Sequence, residues 1–417
     1  MAIAYAAATN RAIGVRGLKN LGGQIQEEYL AAIKSWSKES KLYVEMRDDP
    51  VVGTLLDAIK LPLLAADFDV TPASDSESDS RAAEFVWANM HGMTGQSWRA
   101  HIADMLESLD FGFAVGEIVL EKRDDGRLWL AGIEPRAQES LYRWEFDPQD
   151  RATAMIQQDP DTGQLLTIPL DKCLHATFGG RKGSPQGRAL LRSLFRPWRV
   201  MRELENLEAI GVERDVGGMP MAELGEGVYT TTDVDNLKEA LKGIRQDEEA
   251  YLIVPHGVKV AAYGGGNKLY DVGAIIERYQ KLILMRMFAQ FLKLGMDKVG
   301  TQALVKGSTD FFMLGLVSIQ QSLLEVWQRQ LVAQLFRWNR WPGLTGLPQI
   351  VWHDPGTENV AALMAAYGQG VTARVITPIR EDEETVRAKL DLPDLPEGEG
   401  EGPRDIEAAP PQGLFGP

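Results

Sequence analysis

The sequence predicts an α+β protein, and three features carry that reading. A glycine-rich turn, Gly179-Gly180-Arg181-Lys182-Gly183-Ser184-Pro185-Gln186-Gly187, runs into a helical pattern over Arg188–Arg214. That pattern is about 27 residues long, roughly 40 Å at 1.5 Å per residue. A second long pattern, Val272–Leu294, carries Ile276, Tyr279, Ile283, Met287 and Phe291 on one stripe. Between residues 116 and 178 lie alternating segments punctuated by turn sequences, the signature of antiparallel strands.

Taken in order, the chain opens with Met1–Ala8, which is apolar but lacks a basic flank, so residues 1–26 read as a flexible arm. Glu27–Glu39 reads as a short helix, and Asp49-Pro50 opens another that reaches about Leu64. Asp67–Pro72 is a strand, followed by an acidic, serine-rich loop at Ala73–Ser80 that is expected to be mobile. Ala82–Met90 and Trp98–Leu109 are amphipathic helices. Gly116–Lys122 and Arg127–Ile133 form a hairpin across Asp124-Asp125-Gly126. Ala152–Gln158 and Gln164–Ile168 form a second across Asp159–Gly163, and Cys173–Phe178 is one more strand.

After the first long helix, Met219–Tyr270 makes a small module. It holds a short strand around Met221, a helix over Asp233–Arg245, and strands at Ala250–Val254 and Val258–Ala262 joined by Pro255-His256-Gly257. Beyond the second long helix, Gly295–Gly307 is a glycine-punctuated loop carrying Lys298 and Lys306. Thr309–Trp338 is a third long helix, with Leu323, Trp327, Leu331 and Leu335 at i+4 steps. Glu358–Ala366 and Pro378–Leu390 are helical, the latter with acids in its first turn as the helix dipole favours. From Asp391 onward, six prolines, five glycines and seven carboxylates exclude a packed core, so residues 394–417 are expected to be disordered.

Composition narrows the function. The 417 residues carry a formal charge of −15, from 44 basic and 59 acidic side chains. An acidic chain is a poor tight binder of duplex DNA, whose affinity comes from Lys and Arg displacing counterions; a surface that DNA slides past is another matter. The single cysteine, Cys173, permits no disulfide framework and reads as a small buried hydrophobe in a reducing compartment. The longest apolar run, Leu282–Leu294, is interrupted by Arg286 and Lys293, so no membrane span is expected.

Catalytic patterns are absent. The glycine clusters lack the order a phosphate-binding loop requires, and Lys306-Gly307-Ser308 reverses it. His91, His101, His175, His256 and His353 are scattered without metal spacing. No catalytic, metal or cofactor site is expected, and an enzyme acting on nucleic acid is the weakest of three hypotheses. Arg188, Arg192, Arg196 and Arg199, at steps of 4, 4 and 3, share one helix face. Two readings stay open for them: a solvated or ion-paired helix surface, or contact with nucleic acid or an adjacent subunit. Arg286, Gln290 and Lys293 form a second such stripe. Lys298 and Lys306 are either ordinary exposed lysines or weak phosphate contacts on a movable loop.

Four segments, in order, resemble the Mu-type portal proteins of tailed phages. They are Leu109–Leu120 with Asp125-Gly126-Arg127, where Asp110 replaces the usual aromatic; Ile133–Arg136 with Trp144–Asp147; Gly183–Arg192 with Pro197-Trp198-Arg199; and the helix, Gly307-Ser308, helix and Asp354–Pro393 order. The resemblance spans roughly residues 40–393 and implies a portal fold. That fold has an α/β wing (27–186 and 309–393), two antiparallel stem helices (187–215 and 271–295), a small α/β clip (216–270), a tunnel loop (296–308) and no large crown. It implies a ring of twelve copies at one capsid vertex, a passive channel for double-stranded DNA during packaging and ejection. Its partners would be the terminase large subunit, head-completion or adaptor proteins, and capsid or scaffold proteins. Lys298 and Lys306 would face DNA. Arg188, Arg192, Arg196, Arg199, Arg286 and Lys293 would line the channel or meet a neighbour. Asp247, Glu248, Glu249 and His256 would meet clip partners. Another structural head protein, a minor head or adaptor component, is the alternative.

Overall fold

Strand β4 (Phe113–Lys122) has both faces covered, and two cores form around it. The computed structural model describes residues 16–180, 182–217, 219–224, 230–243, 258–263, 271–289, 292 and 302–353. Within these, β4 is the centre of an antiparallel sheet, flanked by β5 (Leu128–Arg136) and β9 (Cys173–Thr177). Strand side chains alternate between faces. Accordingly Phe113 and Val115 enter a small core with Trp144, Met155, Ile168 and Cys173, while Ala114 enters the main helical core. The small core lies against a second antiparallel sheet, β6 (Leu141–Phe146), β7 (Ala152–Gln158) and β8 (Leu165–Pro169). Cys173 is free and buried, and burial pushes its thiol up to about 12.

The helices follow the expected order with informative departures. Residues 16–26, read as part of a flexible arm, include a small hairpin, β1 (Asn20–Leu21) and β2 (Gln24–Ile25). The hairpin docks on β6, where the Trp144 amide donates to the Gly23 carbonyl at 2.9 Å. The helix expected over Glu27–Glu39 is instead a short 3-10 turn at Ala31–Ile33, and α1 runs over Trp36–Arg47. Helix α2 (Pro50–Ala65) starts as expected, with the Asp49 carboxylate accepting from Val51 and Val52 amides.

The serine-rich segment 73–80 is not a free loop. Ser76 caps α3 (Glu77–His91), and buried Asp79 accepts from the Ser74 hydroxyl and from both the hydroxyl and amide of Thr345. Those hydrogen bonds hold the Asp79 carboxyl down to about 2. Strand β3 (Phe68–Thr71) pairs antiparallel with β12 (Gln349–Trp352), tying the same two chain regions together again. Helices α4 (Trp98–Leu106) and α5 (Ser108–Phe111) lead into β4. Asp110, which departs from the aromatic usual in the family, is fully buried, 2.7 Å from Lys60 and 3.5 Å from Arg47.

The third long helix begins earlier than its pattern suggests. Helix α9 covers Gln302–Val326, a π turn follows at Trp327–Val332, and α10 (Ala333–Trp338) completes it. Side-chain amides close both edges of the β4 sheet, as exposed edges must be covered. Asn339 exchanges two hydrogen bonds with the Leu128 backbone, and Asn89 accepts from the Leu130 amide. On the opposite edge, Gln330 of the π turn accepts from the His175 amide at 2.7 Å. Its neighbour Gln328 donates to the Pro348 carbonyl, just before β12. Trp327 lies in an aromatic cluster with Phe68, Trp98 and Trp352, and its indole N–H donates to His101 Nε2 at 3.0 Å. Burial pushes His101 down to about 3, so the ring is neutral and can accept.

The calls on Glu358–Ala366, Pro378–Leu390 and the tail 394–417 lie outside the described residues.

Candidate functional site: an antiparallel helix pair

Two glycines set the entry to the first long helix. Gly112, at the α5–β4 junction, and Gly187, at the end of the glycine-rich turn, have φ of 93° and 56° and pass backbone to backbone. A Cβ at Gly187 would stand 2.1 Å from the Gly112 carbonyl oxygen, and one at Gly112 would stand 2.5 Å from that of Gln186. Only glycine permits this approach. The chain then rises into α6 (Leu190–Gly217), 28 residues long.

Beside α6 runs α8 (Val272–Leu284), capped by Asp271, whose carboxylate accepts from the Ala274 amide. The direction is fixed by two contacts. Arg286 Nε donates to Ser193 Oγ at 2.7 Å. At the other end, a Cβ on Gly273 would stand 3.8 Å from the Glu208 carboxylate. Rising numbers on one helix meet falling numbers on the other, so the pair is antiparallel over about 20 Å. Leu194, Trp198 and Met201 of α6 and Ile276, Ile283 and Leu284 of α8 are buried in the main core.

The second helix departs from its periodicity. The stripe continues to Phe291, yet the helix ends at Leu284 in a 3-10 turn, Met285–Met287, and Phe288 turns left-handed at φ 58°. Phe288 is stacked on Phe311 at 5.4 Å. At the far end of the pair, β10 (Met219–Leu224) and β11 (Val258–Tyr263) form an antiparallel ribbon accompanied by α7 (Thr231–Gly243). The described partner of Val258–Tyr263 is thus Met219–Leu224; residues 250–254, expected to pair there, lie outside the described residues.

The arginine face divides. Arg192 is buried: its guanidinium makes a two-pronged pair with Glu28 and lies over the Tyr29 ring, 5.3 Å from the centroid. Burial would raise the Glu28 carboxyl, but Arg192 and the Leu30 amide outweigh it and hold it below its usual value. Arg192 therefore does not belong with the channel or subunit contacts, because its charge is spent inside its own chain. Arg188 and Arg196 are exposed, and Arg199 pairs at 3.0 Å with Glu203 one turn on. Burial, then the like charge of Arg188, lowers the Arg286 guanidinium from its ordinary value, so these two cations share one end of the pair. Arg202, which the spacing did not single out, reaches Glu45 of α1 at 2.6 Å.

Residues 302–308 lie in α9, so the loop expected over 296–308 is helical in that part and Lys306 sits on helical backbone. Lys293, Lys298, Asp247, Glu248, Glu249 and His256 lie outside the described residues. Among the described residues, no cluster of three or more His, Cys, Asp or Glu could hold a metal, and no helix is long and apolar enough to cross a membrane.

The family model for the portal protein of Mu bacteriophage matches residues 40–392. The fold is similar to a chain from the virion of a native gene transfer agent particle, at 11% identity and a TM-score of 0.55, covering 90% of this chain and 97% of that one. It is also similar to a chain from the neck of the empty particle, computed with C6 symmetry, at 10% identity and TM-score 0.58 over 90% of this chain and 96% of that one. A chain from the neck of the native particle, computed with C12 symmetry, matches at 10% identity and TM-score 0.56 over 85% and 93%.

Proposed function

The chain belongs to the portal-protein family of bacteriophage Mu, and from that premise we propose that it forms a ring at one capsid vertex through which double-stranded DNA is packaged and ejected. One observation carries the reading. The antiparallel pair α6–α8 joins a large α/β body to a small α/β module, and its outer length has side faces that its own chain leaves open. Copies repeated around an axis would close those faces and set the helices around a hole.

In this reading α6 and α8 are the stem, residues 216–270 the clip, and the remaining described body the wing. The likeness to a neck chain solved with C12 symmetry supports twelve copies. The net charge of −15 supports passage without adhesion, since phosphate affinity needs an excess of cations. The cations at the Arg188–Arg286 end, with Lys298 and Lys306 beyond it, would touch DNA sparsely. The clip, with Asp247, Glu248, Glu249 and His256, would dock the terminase motor and later the head-completion proteins.

Electron microscopy of the purified full chain tests this. Class averages should show closed rings with a central hole of duplex width. A protein that stays monomeric at high concentration, or rings without a helical stem, would overturn it.

A further inference from the structure

A cavity of about 1210 Å³ opens between the N-terminal hairpin, α1, β6 and the glycine-rich turn. It exceeds the roughly 300–1,000 Å³ of small-molecule sites. One wall is aromatic, built from Trp36, Phe111 and Trp144. Three of its lining residues, Arg143, Trp144 and Ser184, hold buried side-chain polar atoms (Nε, Nε1 and Oγ) with no hydrogen-bond partner among the described residues. Such orphans are costly and rare in a finished interior.

The carboxylates around the cavity are unequal. Glu27 is paired with Lys182 at 3.0 Å, and Glu28 with Arg192. Glu39 has no cation within ion-pair distance among the described residues, and its side-chain hydrogen bond comes from the Tyr43 hydroxyl at 2.5 Å. Burial pushes its carboxyl up to about 7 despite that bond. One cation from outside would complete the set.

The described chain begins at the rim. Arg16 donates to the Gly183 carbonyl at 3.4 Å, and Leu18 lines the cavity. The fifteen residues before it are Met-Ala-Ile-Ala-Tyr-Ala-Ala-Ala-Thr-Asn-Arg-Ala-Ile-Gly-Val: six are alanine, and Arg11 is the sole Lys, Arg, Asp or Glu. Five extended residues from Arg16 to Arg11 reach at most about 18 Å. A mostly apolar strand with one cation thus stands next to an aromatic wall with one unpaired carboxylate.

We propose that this cavity is the seat of the chain's own residues 1–15, with Arg11 paired to Glu39 and the alanine-rich stretch against Trp36, Phe111 and Trp144. Seated there, the segment binds α1, β6 and the turn that launches α6, and so braces the root of the first long helix.

Cross-linking in the full-length protein tests the seat. Ala12→Cys and Tyr142→Cys are introduced together and treated with a short bismaleimide; the native Cys173 is buried and inert. A cross-linked product of single-chain mass is expected, reduced at least tenfold by adding Arg11→Ala and several-fold by Glu39→Gln. Yield no greater than that of a control pair, Ala12→Cys with Ser322→Cys, overturns the proposal, as does indifference to Arg11→Ala. Products joining two chains would instead assign the cavity to a neighbour's segment and equally overturn the own-chain seat.

Discussion

The two halves of α6 have similar lengths and opposite surroundings. In the inner half, Leu190, Leu191, Leu194, Trp198 and Met201 are buried against helices of the same chain. In the outer half, Leu207 and Val212 are 59% and 53% exposed, and Ile210 is 44% exposed. An isolated helix gains little from propensity alone; packing of its apolar face holds it. The inner half is therefore a product of its own fold, whereas the outer half carries apolar side chains whose burial must come from beyond the chain. The same division sorts the arginines, with Arg192 engaged inside and Arg199 paired only along its own helix.

Substitutions can break or sharpen this contrast. The largest effect is expected for Arg192→Ala, which strands the Glu28 carboxylate and should cost about 4 kcal/mol in denaturant unfolding. Next comes Leu194→Ala, at about 3 kcal/mol from lost burial and the cavity left behind. Ile210→Ala and Arg199→Ala, their outer-half counterparts, should each stay within about 0.5 kcal/mol for the dissociated subunit. Ile210→Ala should nevertheless lower the ring fraction in sedimentation. Equal costs in the two halves would dissolve the distinction.

A pH series probes the inner region alone, with an effect between these extremes. His101 has a folded value of about 3, depressed by burial below the unfolded value near 6.5. Its contribution is present above pH 6.5 and is lost as pH falls toward 3. The slope added by this one group is at most about 1.4 kcal/mol per pH unit. His101→Gln, which can still accept from the Trp327 indole, should flatten that limb of the stability curve; an unchanged slope would remove His101 as its source.

Local chemistry made much of the fold legible. Asp124-Asp125-Gly126 between alternating segments fixed the β4–β5 hairpin, and Asp49-Pro50 marked the start of α2. Strand β6 escaped because its buried positions, Leu141 and Trp144, fall three apart, and the register shifts at both ends break the two-residue period. Segment 73–80 looked mobile because its composition is that of a loop; Thr345, the residue that buries Asp79, stands 266 positions away. The fate of Arg192 was equally hidden, since Glu28 lies 164 residues earlier. Periodicity carried the second long helix past Leu284 because an apolar stripe records which face is wet, not where the backbone turns. The site was legible as a pair of long helices, but not in which half of each is already occupied.

The π turn at Trp327–Val332 has a consequence for how this chain can vary. Its wider winding directs Gln328 toward β12 and Gln330 toward β9, two residues apart yet gripping different sheets. Deleting any one of those six positions would restore ordinary winding and swing everything after it by about 100°. Leu335 would rotate out of the core and Asn339 away from Leu128, so both clasps would be lost at once. Inheritance should therefore tolerate point replacement along this stretch far better than a change in its count, and relatives of any length should keep the same tally of residues between Trp327 and Asn339.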